Sequence, residues 1–313
     1  MRFLNRKTNI DFVGKRKIAF VVSLLLIVLS ITMLATRGLN FGLDFTGGTL
    51  IEVGFPSAPD INEVRDNLKN RGLDDAVVQT FGVATEIVVR IPPREEEESS
   101  AEISTVVLQA LQQGVEGDVE MRRVEFVGPQ VGDELTEQGI LAVVYALIGI
   151  FLYVMIRFQW RFSMGAVAAL VHDIIITMGI ISLLQVEFDL TVVAALLAVI
   201  GYSLNDTIVL FDRIRENFPR LRKSSPIEVV NTSVNETLSR TLMTSATTLL
   251  VLIALFIFGG EIIHAFAFTL IIGVLVGTYS SIYVASTTLL ELGVSKFDLL
   301  AVEKEGATVD QRP

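Results

Sequence analysis

The sequence predicts an α-helical membrane protein with six transmembrane helices and one small α+β domain outside the membrane. Three observations carry this. Mean hydropathy is +0.58, with 51% hydrophobic residues over 313 positions, more apolar than soluble chains of this size. Six apolar runs each reach the roughly 20 residues that a spanning helix needs. Between the first two runs lie about a hundred polar residues whose hydrophobic spacing alternates between strand and helix periods. There is no cysteine, which excludes disulfides, thiol catalysis and zinc thiolate sites. The net charge of -10 argues against nucleic acid as a partner.

Residues 1–17, MRFLNRKTNIDFVGKRK, are basic and predict a cytoplasmic N-terminus. Residues 18–36 form the first transmembrane helix. The run is long for a signal peptide and no small-residue cleavage site precedes Arg37, so an uncleaved anchor is expected. Residues 37–137 form the outer domain. Strands are expected at Thr49–Phe55, Ala76–Phe81, Thr85–Ile91 and Val119–Val127, and helices at Asp60–Arg71 and Glu102–Leu111. The order β-α-β-β-α-β is the ferredoxin-like pattern. The acidic linker PPREEEESS reads as a solvated loop, with Ser99 or Ser100 capping the helix after it.

Residues 138–290 hold the other five helices. The second runs over Gln138–Ile156 and turns at the basic, aromatic hairpin Arg157–Arg161; the third covers Phe162–Leu184. The loop Gln185–Asp189 carries no cation and fits the outer side. The fourth helix fills Thr191–Asn217, and the cations Arg213, Arg215, Arg220, Arg222 and Lys223 place its end in the cytoplasm. Ser225-Pro226-Ile227-Glu228 is a helix start, and Ile227, Val230, Val234 and Leu238 predict an amphipathic stretch along the membrane surface, running into a fifth helix that reaches Phe258. Gly259-Gly260-Glu261 turns into the sixth, Ile262–Leu290, where Gly273 and Gly277 allow close helix contact. Residues 291–313 form a polar cytoplasmic tail.

Asp206, beside Asn205, is the sharpest chemical signal. A carboxylate inside a membrane helix is costly unless a cation, a proton or water compensates it. Counting at 1.5 Å per residue puts Asp206 about 22 Å and Arg240 about 27 Å below the outer surface, so the two can meet. An ion-coupling pair and a static salt bridge are the two readings, and the first is favoured because intramembrane ionisable groups mark ion pathways. Asp212, six residues on, faces elsewhere. The hydroxyls around Arg240 (Ser239, Thr241, Thr244, Ser245, Thr247, Thr248) either line a wet path or bond within helices. His172-Asp173 in the third helix is either a proton relay or a helix tie. Adjacent residues point apart, and His264, the only other histidine, is far along the chain, so no metal site is expected. Asp44, Gly47 and Gly48 open the outer domain. No P-loop lysine follows, so the glycines are expected to permit a tight turn into the first strand. No catalytic triad, zinc-protease motif or nucleotide loop is present, and no enzyme is expected.

Several stretches together resemble the SecD/SecF family of the RND superfamily, in its SecF half. They are IDF at 10–12, GLDFTGGT at 42–49, VGPQVG at 127–132, ALVHD at 169–173, GYSLNDT at 201–207, FDRIREN at 211–217, NETLSRT at 235–241 and GTYSS at 277–281. The resemblance implies a six-span RND half that pairs with SecD, as a separate chain, and assists the Sec translocase. It implies work with the SecYEG channel, with SecA and YajC in the wider complex, on preproteins exported across or into the bacterial cytoplasmic (inner) membrane. The outer domain is then periplasmic and both termini cytoplasmic. No cofactor is implied beyond the coupling ion of the proton-motive force, a proton or, as in some relatives, sodium, with Asp206 and Arg240 as the matching aspartate and arginine. Two alternatives stand beside it: a passive assembly subunit with Asp206 and Arg240 as a pin, and an RND-type exporter half for small molecules or lipids. Exporters of that class usually carry larger outer domains and both halves in one chain.

Overall fold

The computed structural model describes residues 8–93, 100–113 and 117–294. The acidic stretch at 94–99, the first seven residues and most of the polar tail lie outside the described residues, as do the expectations made for them. In chain order the elements are a 3-10 turn (Val13–Lys15), α1 (Arg16–Arg37), β1 (Asn40–Phe41), α2 (Leu43–Thr46), β2 (Gly48–Gly54), α3 (Ile61–Lys69), β3 (Val77–Phe81), β4 (Val83–Ile91), α4 (Ser100–Leu111) and β5 (Glu120–Val127). There follow α5 (Pro129–Arg157), α6 (Trp160–Leu184), β6 (Glu187–Phe188), α7 (Leu190–Arg220), α8 (Pro226–Phe258), α9 (Glu261–Ser280), a π-helical turn (Ser281–Ala285) and α10 (Ser286–Glu291). Six helical segments are long and apolar enough to cross a membrane: Val13–Arg37, Pro129–Arg157, Trp160–Leu184, Leu190–Arg220, Pro226–Phe258 and Ile262–Glu291.

The helix that carries the second span is longer than the apolar run Gln138–Ile156: it starts at Pro129, with Gly128 alone between it and the end of β5. Asp133, Glu134 and Glu137 lower the hydropathy of its first turns, but these turns pack on α2, where a Cβ on Gly132 would fall 3.0 Å from Phe45 O. Pro129 suits a first turn because its missing N–H would go unbonded there. The outer sheet is therefore joined to a continuous helix through Gly128 alone.

In that sheet all neighbours are antiparallel, in the order β3-β4-β2-β5. Alternation sends Ile51, Val53, Ile87, Val89 and Ile91 to one face, where Val64 and Leu68 of α3 and Val107 and Leu111 of α4 cover them. The Asp60 carboxylate caps α3 by accepting from Asn62 N at 2.8 Å. The opposite face, with Leu50, Glu52, Val88 and Arg90, looks toward the bundle. A cleft of about 560 Å3 lies between it and the ends of α6 to α9.

Sheet and bundle are joined around β1 and β6, which pair in parallel. The rings of Phe41, Phe45 and Phe188 meet at 5.6–6.0 Å. Arg90 of β4 forms an ion pair with Glu187 of β6 and donates to Phe41 O at 3.0 Å. Burial pushes the Glu187 carboxyl above its ordinary value, and Arg90 pulls it part of the way back.

Within the bundle, α6 and α7 are central. Small residues let neighbours approach them: a Cβ on Gly179 would fall 2.2 Å from Ser30 of α1, and one on Gly273 would fall 2.1 Å from Val199 of α7. Phe162, Phe211, Ile214 and Phe218 pack with Leu289 in one core, and Val230 and Val234 of α8 join it. The first turns of α8 thus bury one face in the bundle, while Ile227 stays 43% exposed. The helix start there is a complete capping box between Ser225 and Glu228. Phe20, Leu25, Tyr145, Ile148, Leu250 and Val251 face outward on α1, α5 and α8, as lipid-facing residues do.

Candidate functional site

Asp206 lies mid-length on α7, flanked by apolar turns, and is 4% exposed. Its Oδ2 is buried without a hydrogen-bond partner. Arg240, on α8, is the cation whose field reaches the carboxylate. Among the described residues the two form no ion pair within 4 Å, so the direct meeting that helix depth suggests is replaced by an interaction across a gap. Both Arg240 and Asn205 are exposed in this chain. Of the hydroxyls around Arg240, Thr244 donates to Arg240 O at 3.1 Å and Thr247 to Met243 O at 2.9 Å, bonds within the helix. Ser245 reaches Thr278 of α9 at 2.7 Å, and Tyr202 of α7 donates to it at 3.3 Å.

His172 and Asp173 form a different kind of site. The expectation that adjacent side chains point apart is corrected here. The His172 ring folds back so that Nδ1 lies 3.0 Å from Asp173 Oδ1. Asp173 is wholly buried, and its Oδ2 accepts from Ser203 Oγ of α7 at 2.6 Å and from Ser280 Oγ of α9 at 2.7 Å. One carboxylate therefore joins three helices. His172 stacks on Tyr279, with ring centroids 6.0 Å apart, and the Tyr279 hydroxyl donates to Ala19 O of α1 at 2.9 Å. His172 Nε2 has no partner. Thr177 Oγ1 and Thr207 Oγ1, one turn along from Asp173 and Ser203, are also buried without partners. Among the described residues, these four unsatisfied polar atoms of the bundle interior thus gather on α6 and α7.

Sequence reasoning missed Ser203, Ser280 and Tyr279. A usable signal existed for Ser203, which stands three residues before Asp206 on the same face of a helix. Nothing in the spacing points from Ser280 to Asp173, because that contact is made between helices over a hundred residues apart in sequence.

Asp44, Gly47 and Gly48 form the turn beneath the sheet. A four-residue helix, α2, precedes the glycines where no helix was expected. Asp44 Oδ2 accepts from Leu190 N at 2.9 Å, so it caps the start of α7 together with Asp189, which accepts from Val192 N at 2.8 Å. Gly47 and Gly48 have φ of +67° and +113°, and a Cβ on Gly48 would meet Ile91 O at 2.2 Å. Only glycine lets the chain enter the sheet so close to β4. At the other end of the bundle Asp212 lies 3.8 Å from Arg157, and Arg213 pairs with Glu236 at 2.8 Å. Among the described residues there is no cluster of three His, Cys, Asp or Glu able to hold a metal ion.

Comparisons with known proteins agree along the whole chain. Residues 107–295 match the family described as protein export membrane protein SecD/SecF, C-terminal, and residues 32–55 match the SecD/SecF GG motif, which takes in Asp44, Gly47 and Gly48. The chain is 54% identical to the protein translocase subunit SecF of Vibrio alginolyticus, covering 100% of this chain and 99% of that one. It is 51% identical to the SecF of Pseudomonas aeruginosa, covering 97% and 98%. The crystal structure of SecDF, a translocon-associated membrane protein from Thermus thermophilus, superposes with a TM-score of 0.82 at 37% identity, over 93% of this chain and 39% of that one. The chain spans about two fifths of that SecDF chain. With its six spans, its glycine turn and these matches, the chain belongs to the SecD/SecF family of protein-export membrane proteins.

Proposed function

We propose that this chain is the ion-responsive half of a SecD–SecF unit that uses the proton-motive force to promote preprotein export. The observation that carries this reading is Asp206, a carboxylate buried in a membrane span with one oxygen unsatisfied and its cation held at a distance. Deprotonated, it needs Arg240 or water near it; protonated, it tolerates apolar packing. Its two states therefore favour different positions of α7 relative to α8. A membrane potential can bias them, since one elementary charge crossing the membrane carries roughly 2.3 kcal/mol per 100 mV. Asp44 and Leu190 link α7 to the turn beneath the sheet, so movement of α7 is transmitted outward through β1 and β6.

In this reading the sheet domain is ferredoxin-like and periplasmic, both termini are cytoplasmic, and the membrane is the bacterial inner membrane. SecD occupies the face that carries Asn205 and Arg240. SecYEG, SecA and YajC complete the assembly around it, and the chain carries out no covalent chemistry. Asp206→Asn tests this in membrane vesicles. The variant should insert and hold SecD normally but lose at least nine tenths of the export gained when an ion gradient is imposed. A gradient response equal to wild type would falsify the reading, and loss of the complex would favour a passive pin.

A further inference from the structure

We propose that His172 and Asp173 form a second proton-holding site of the bundle, linked through Ser203 to Asp206. This rests on the reading of Asp206 as the coupling carboxylate and adds a second station to it.

Hydrogen-bond accounting comes first. Two hydroxyls and one ring nitrogen converge on the Asp173 carboxylate, at 2.6, 2.7 and 3.0 Å. With all three donating, the carboxylate is ionised and His172 carries its hydrogen on Nδ1. The pair then bears one negative charge if Nε2 is bare and none if Nε2 is protonated. A net charge in the membrane interior is costly, so the second state is favoured electrostatically. Yet Nε2 has no hydrogen-bond partner, which disfavours a fixed N–H there. A histidine that served only as a tie would be expected to have both nitrogens bonded, as buried polar groups generally do. The two opposing terms leave the proton on Nε2 free to come and go.

The surroundings contain few competing charges. From α9, Tyr279 faces the pair, its ring stacked on His172 and its hydroxyl donating to Ala19 O, and Tyr283 of the π-helical turn packs against Tyr279 with ring centroids 5.1 Å apart. From α1 the facing group is Ser23, 3.1 Å from the Tyr279 hydroxyl. From α7 the titratable group is Asp206, three residues beyond Ser203 and so about 4.5 Å along the helix axis. Asp206 has the field of Arg240 from the neighbouring helix, whereas Asp173 has the His172 ring directly against it at 3.0 Å.

Ser203 is the link. It is wholly buried, donates to Asp173, and is backed by Gly277, where a Cβ would sit 3.0 Å from the Ser203 Cβ. When α7 shifts, Ser203 must lengthen or release its bond to Asp173, and the pair is left with one donor fewer. The π-helical turn begins at Ser281, directly after Ser280. Such turns are often found at functional sites, where they change the register of a helix by one residue.

The chain has two histidines, so His264→Gln leaves a single imidazole. That chain, reconstituted with SecD in lipid vesicles, can be labelled with 15N-histidine and followed by solid-state NMR from pH 5 to 9. The expected result is a change between the neutral and doubly protonated ring. Adding Asp206→Asn should lower the midpoint by at least a threefold change in proton affinity, because the negative charge on the neighbouring helix, one turn beyond Ser203, no longer favours the cation. A ring that keeps one form over the whole range, or a midpoint indifferent to Asp206→Asn, overturns the proposal. His172→Asn, which keeps a donor near Asp173 Oδ1 but cannot titrate, should flatten the pH profile of gradient-driven export; an unchanged profile counts against it. If Asp206→Asn leaves gradient-driven export intact while the His172 midpoint still shifts, the reading of Asp206 fails and the proton site stands.

Discussion

Asp206 and Asp173 are both carboxylates buried in the membrane bundle, on adjacent helices, yet they are built oppositely. Asp173 is closed in: it is wholly buried and contacted by donors from three helices. Asp206 is left short: one oxygen has no partner, and its arginine stands off on an exposed helix face. Burial alone does not tell such sites apart. The count of donors does, because each bond to a charged group offsets part of its desolvation while a missing one leaves the cost in place. The bonds to Asp173 tie three helices together, while Asp206 keeps an oxygen whose desolvation nothing offsets.

The largest effect should come from breaking the satisfied site. Asp173→Ala leaves two hydroxyls and an imidazole without their acceptor and should lower unfolding stability by about 3–5 kcal/mol. Asp206→Asn should change it by less than about 1 kcal/mol, since little is bonded there. Thermal unfolding in detergent compares the two, and the reverse order would break the contrast.

Ser203→Ala sharpens it. Loss of one bond to a charged group should cost about 1.5–3 kcal/mol. Because Ser203 stands one turn from Asp206, the double variant with Asp206→Asn should depart from additivity by more than about 0.5 kcal/mol. Strict additivity would mean that the two carboxylates do not communicate.

The smallest effect is at the junction of sheet and bundle. Burial raises the Glu187 carboxyl in the folded state above its ordinary value of 4.5. A raised value means that the folded form holds its proton more tightly. The contribution is fully present below 4.5 and is lost as pH rises through the raised value. Wild type should therefore gain stability from this group on acidification from neutral pH, and Glu187→Gln should respond less. Glu187 is 40% exposed, so the difference should stay well under about 1 kcal/mol. Unfolding midpoints of both proteins between pH 4 and 7 give the test, and a steeper response in the variant would reverse the sign.

The sequence by itself determined the six spans, the capping box at Ser225 and the turn at Gly47 and Gly48. Each rests on local physics: apolar run length, the bonding of a helix end, and the backbone freedom of glycine. The start of α5 escaped because hydropathy reads a helix only where it is apolar, and the first turns carry Asp133, Glu134 and Glu137. Asp206 was legible as a carboxylate in the wrong solvent, and Arg240 as a cation of similar depth. Tertiary structure alone decided that their charges face each other across a gap, that Asp173 gathers Ser203 and Ser280, and that His172 folds back onto its neighbour. Those outcomes depend on how α6, α7 and α9 are rotated against one another. That rotation is set by close contacts such as Gly273 on Val199 and Gly277 on Ser203, between residues some seventy positions apart. Periodicity along one helix cannot register such a contact, because it fixes which residues share a face but not which helix that face will meet.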